Sequence, residues 1–95
     1  MLSTPYSEIA EAIIKKLGLV LGESITIERA RRVEGLSIGD DGNVKEVTGN
    51  VADVLEKLID QYRELLGPAA IYFAKDAARS TIAQNQDLTL PRSLV

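Results

Sequence analysis

Apolar positions near the N-terminus recur every three or four residues. Tyr6, Ile9, Ala10, Ile13 and Leu17 lie on one side of a helical projection, while Glu8, Glu11, Lys15 and Lys16 fall mostly on the other. This spacing predicts a helix over 4–17. Thr4 is placed to cap it and Pro5 to occupy its first turn, where a missing N–H costs nothing. Gly18 is the expected stop. The next stretch, 19–33, is ambiguous: Ile25 and Ile27 alternate as in a strand, but Arg29 and Arg31 break the alternation. Glu28 with Arg31 and Arg32 supplies helical ion-pair spacing, and Ala30 suits a helix. The balance favours a second helix starting near Ser24.

Residues 35–48 read as a hairpin. Leu36 and Ile38 precede Gly39-Asp40-Asp41-Gly42-Asn43, and Val44 and Val47 follow. Asp-Gly between short β-prone runs is a turn signal, because glycine tolerates positive φ. Two strands are marginal alone, so the hairpin must rest on helices. Asn50 then caps a third helix whose apolar stripe is Val51, Val54, Leu55, Leu58, Tyr62, Leu65 and Leu66. Gly67 closes it and Pro68 opens a fourth, reaching about Gln84. In that last helix Ala70, Ala74, Ala77 and Ala78 share a side with Ile71, Phe73 and Ile82, and small side chains let a neighbouring backbone approach closely.

The expected fold class is therefore α+β and mainly helical: three to four helices around an aliphatic core, with one small β-hairpin. One domain spans 1–86. The tail, 87–95, is either loose or laid along a groove, with Leu88, Leu90 and Leu94 spaced through it and Pro91 barring a helix. The expected core is Ile9, Ile13, Leu17, Val54, Leu55, Leu58, Tyr62, Leu65, Ala74, Ala78 and Ile82.

Composition narrows the function. The 95 residues suffice for one domain, and a domain this small keeps a thin stability margin that a partner subunit would widen. An apolar content of 45% argues against disorder. Neither cysteine nor histidine occurs. Disulfides, thiolate nucleophiles, sulfur-ligated zinc and triads built on Ser–His–Asp or Cys–His are thereby excluded. No secretion signal or apolar run of membrane-spanning length is seen, so a cytoplasmic location is expected. No catalytic, cofactor-binding or metal-ligating set emerges. Asp40-Asp41-Gly42-Asn43 lacks the alternating ligands and distant Glu of a calcium loop.

The stretch Leu66-Gly67-Pro68-Ala69-Ala70, continuing through Lys75, Ala77 and Ala78, resembles a helical module near the C-terminal ends of some bacterial signalling proteins. There a Gly-Pro joins two helices and is followed by a lysine and paired alanines. The resemblance spans residues 54–88, and Pro91 departs from it by breaking the short helix that usually follows. It implies bacterial regulation through protein–protein contact, without catalytic residues. With the alanine face and a thin core that a second copy would complete, the expected function is a non-catalytic interaction module that pairs with itself as a homodimer or with a regulatory partner, binding through Ala70, Phe73, Ala74, Ala77, Ala78 and Ile82 and through Leu88 and Leu90 of the tail. The alternative for the alanines is packing inside the chain.

A second reading rests on element order. Helix, turn, helix and hairpin is also the order of a winged helix-turn-helix, in which Thr26, Arg29, Arg31 and Arg32 would meet DNA. The net charge of −3 and an acidic wing oppose it. A third possibility is a small-ligand domain of unspecified specificity.

Overall fold

In the computed structural model, which describes residues 4–95, the first helix, α1, is Pro5–Leu21. Thr4 caps it as expected: its Oγ1 accepts from the Ser7 N–H at 3.1 Å. The expected stop at Gly18 is corrected. The helix runs through Gly18 and ends at Gly22, whose φ of 97° is a left-handed value that a side chain would resist. A single residue therefore separates α1 from α2, Glu23–Arg31, and the ambiguous stretch is helical.

The hairpin pairs β1, Leu36–Ile38, with β2, Val44–Val47, antiparallel, with Leu36 opposite Val47 and an irregularity at Ser37/Ile38. Gly35 is required where it stands. Its φ is 91°, and a Cβ there would lie 2.7 Å from the Thr48 carbonyl oxygen and 2.9 Å from Val54. The hairpin rests on α1, as its marginal size demands. There the Glu11 carboxylate accepts from the Val44 N–H at 2.8 Å.

The third helix, α3, is Val51–Leu66, capped by Asn50 accepting from the Asp53 N–H at 3.1 Å. The fourth, α4, is Ala69–Gln84, entered through the Gly67–Pro68 corner. Four helices and a two-stranded hairpin make the fold α+β and mainly helical. The core is aliphatic, with Tyr62 its only fully buried ring. Ile9, Ile13, Leu17, Val54, Leu55, Leu58, Tyr62, Ala74 and Ala78 are buried, and Ile82 packs half-buried against them. Leu65 is a correction: it lies in the last turn of α3, past the reach of the packed neighbours, and remains exposed. Ala10, Ile14, Ala30, Val33, Ile59, Ala70 and Leu94 join the core instead.

The tail takes the groove. The Tyr6 hydroxyl accepts from the Thr89 N–H at 2.9 Å, and Arg92–Leu94 forms a short 3-10 turn that buries Leu94. The Ser93 hydroxyl donates to Glu56 of α3, which anchors the turn.

Candidate functional site

The alanine stripe of α4 faces inward. Ala70, Ala74 and Ala78 are buried in the core, and among the described helices α4 packs most extensively on α1. Those three side chains are covered within the chain and correspondingly unavailable as a seam between copies. Phe73, Ala77 and Ile82 are half-buried against the same core, and so are Leu88 and Leu90.

What α4 offers to solvent is Tyr72, 69% exposed. Its surroundings follow from helix register. Lys16 of α1 pairs with Asp76 of α4 at 3.1 Å. The two helices run antiparallel, since Tyr6 at the start of α1 meets the tail just past the end of α4. Val20, one turn beyond Lys16, therefore stands level with Tyr72, one turn before Asp76. Val20 is 42% exposed. The Tyr62 hydroxyl donates to the Thr26 carbonyl at 2.9 Å, and Arg29 pairs with Glu64 at 2.8 Å. These contacts hold α2 against the C-terminal half of α3. Ile25 near the start of α2 and Leu65 near the end of α3 are also exposed, so each of the four helices carries a large apolar side chain open to solvent near one of its ends.

Flanking charges are matched within the chain: Lys16 with Asp76, and Arg29 with Glu64. The residues expected to face DNA are likewise committed. Thr26 is fully buried and its Oγ1 donates to the Gly22 carbonyl at 2.7 Å, so it cannot enter a groove. Arg31 pairs with Asp40 of the hairpin tip, instead of with Glu28, and Arg32 pairs with Glu28. In this structure Thr26 is therefore turned into the core, while Arg29, Arg31 and Arg32 lie in ion pairs within the chain.

Two further features complete the surface. A cleft of about 360 Å³ opens between α1, α2 and the hairpin tip, floored by Ile14, Gly18, Ile27 and Gly42. A broader groove of about 790 Å³ lies between α3, α4 and the tail, where Asp60 is paired with Arg63 and Glu56 with Ser93. Burial pushes the Tyr62 phenol well above its ordinary range. This is a structural proton, fixed by its bond to Thr26. Among the described residues no cluster of three acidic side chains could hold a metal ion, and no helix is long and apolar enough to cross a membrane.

Sequence reasoning passed over Val20 and Tyr72. The available signal was Tyr72 itself, a large ring set among the α4 positions opposite the alanine stripe. Compared with known proteins, the chain matches no family model, no curated protein and no solved structure.

Proposed function

We propose that the protein is a small, non-catalytic interaction module that pairs with a second copy of itself through the end where Val20, Ile25, Leu65 and Tyr72 converge. The observation that carries this reading is Tyr72 standing level with Val20, both open to solvent, on a chain whose other large aliphatic side chains are mostly covered. Solitary exposed apolar residues are ordinary, whereas a cluster assembled from four elements is characteristic of an interaction surface.

A second copy is the occupant best suited to this end. A two-fold contact sets each surface against itself, so an unbalanced charge on the rim would meet its own like. Here Lys16 and Arg29 are already neutralised by Asp76 and Glu64, and Glu23 is the acidic group whose repulsion a symmetric contact must screen. A standard interface covers about 800 Å² per partner, roughly one-seventh of the 5597 Å² accessible surface, which the end of the molecule can provide. The resemblance of residues 54–88 to a module of bacterial signalling proteins supplies the biological setting of the proposal: regulation or signalling.

Sedimentation velocity over a concentration series tests it. A dimer is expected at high micromolar concentration, reverting to monomer in Tyr72→Glu with an unchanged helical circular dichroism spectrum. Monomeric behaviour of the wild type throughout would overturn the reading.

A further inference from the structure

Three features of the cleft between α1, α2 and the hairpin tip have no explanation in the fold itself. The first is Gly18. It lies inside α1, where glycine weakens a helix relative to alanine. Its φ is not positive, and a Cβ there would meet only the Glu23 Cα, at 4.0 Å, an ordinary contact. Internal packing gives no reason for it, in contrast to Gly35. What its missing side chain does is keep the cleft floor open.

The second feature is apolar. Leu19, 87% exposed, stands beside Gly18, and the floor continues through Ile14 and Ile27. The third is electrostatic. Glu23 and Asp41 line the cleft, and neither has a cationic partner among the described residues. Asp41 is held in place by accepting from the Asn43 N–H at 3.0 Å and from its side-chain amide at 2.9 Å. The remaining charged group, Lys15, is matched by Glu11 at 3.5 Å. The cleft therefore joins an apolar floor to two exposed carboxylates that form no ion pair, with the Lys45 side chain nearby at the Asp41 side.

We propose that this cleft binds a small cationic amphiphile: a primary ammonium carried on an apolar body. At about 30 Å³ per heavy atom, the 360 Å³ cleft admits about a dozen heavy atoms. The body lies over Gly18 between Ile14, Leu19 and Ile27, and the ammonium faces Glu23 and Asp41. The site adjoins the surface proposed for self-association, Leu19 and Glu23 being neighbours of Val20 and Ile25, and the Tyr72→Glu variant distinguishes the failure of one proposal from that of the other.

The test is an amide NMR titration of the full chain with 2-phenylethylammonium, with 2-phenylethanol and 3-phenylpropanoate as matched neutral and anionic probes. Ammonium-dependent shifts are expected at Gly18, Leu19, Ile27 and Gly42. The alcohol should bind roughly fivefold more weakly, the worth of a partly solvated charge contact, and the carboxylate more weakly still. Joint replacement Glu23→Gln with Asp41→Asn should lower the ammonium to the level of the alcohol. Gly18→Leu fills the floor and should abolish the shifts. Gly18→Ala should weaken binding while raising Tm by about 3–6 °C, a combination that damage to the fold would not produce. Equal binding of ammonium and alcohol, shifts that persist in Gly18→Leu, or no shifts at millimolar probe would each overturn the proposal. Repeating the titration on Tyr72→Glu keeps the result independent of oligomeric state.

Discussion

The two ends of the α1–α4 pair are finished differently. At the end where α1 begins, the tail folds back: Thr89 is tied to Tyr6, Leu88 and Leu90 pack against the core, and Leu94 is sealed between α3 and α4. At the other end, α1 and α3 stop at Gly22 and Gly67, and Val20 and Tyr72 remain partly open to solvent. The same requirement, covering the apolar ends of packed helices, is met within the chain at one end and left open at the other. Small residues mark where backbones meet inside the molecule. Large exposed ones mark where it is unfinished.

The largest effect that could break this contrast comes from placing one charge on either face of α4. Ala78→Glu drives a carboxylate into the core, where neither water nor a cation can reach it. A loss of about 3 kcal/mol or more is expected, enough to unfold much of so small a domain. Tyr72→Glu, six residues away, should leave the thermal transition nearly unmoved at low concentration, where no dimer contributes to stability. Circular dichroism melts of the two variants separate the faces directly. Similar melts would mean that the inward and outward sides of α4 have been exchanged.

A smaller effect probes the closed end. Leu94→Ala empties a buried position held only by the tail, and about 2 kcal/mol should be lost, lowering Tm by roughly 8–16 °C. Hydrogen exchange at the Thr89 amide should accelerate as the tail loosens, while the helices keep their protection. An unmoved Tm would show that the tail contributes no roof, and the distinction between the two ends would then disappear.

Much of the fold was legible in the amino-acid sequence because its signals are local. Asn50 and Thr4 announce their helices through caps that need only three residues of context. The stripe of α3 is so regular that its burial could be read without a partner in view. Gly18 and Gly22 show the limit. Gly18 was the expected end of α1, yet the helix runs on to Gly22, and the φ that the chain adopts distinguishes the two glycines. Leu65 shows another: it satisfies the α3 periodicity, but periodicity says nothing about where the neighbouring helix ends. The candidate surfaces were harder still. The alanines were visible, yet whether they face the chain's own core or another copy depends on the path of the chain between residues 21 and 69. The cleft joins α1 and α2 to a hairpin tip that lies well beyond both in sequence, and no local pattern brings them together.

The smallest effect tests the fastening between α2 and α3, the helices that carry exposed Ile25 and Leu65. Tyr62→Phe keeps the ring and deletes the donor to the Thr26 carbonyl, so a loss of about 1 kcal/mol is expected, or roughly 4–8 °C in Tm. The pH dependence makes the assignment specific. Burial raises the Tyr62 pKa in the native state, while the unfolded chain titrates near its ordinary value of 10.0. Above about pH 10 the unfolded state therefore binds fewer protons than the native state, and stability falls as pH rises, by at most about 1.4 kcal/mol per pH unit. Below that pH the full benefit of the tyrosine is retained. All other groups are common to the two proteins, so the difference between the two stability curves isolates Tyr62. Its advantage over phenylalanine should shrink from about pH 10 and vanish near pH 11, about where 1 kcal/mol of linkage cancels the hydrogen bond. Parallel curves through that range would mean that the phenol is solvated, and that α2 is held to α3 by something other than this contact.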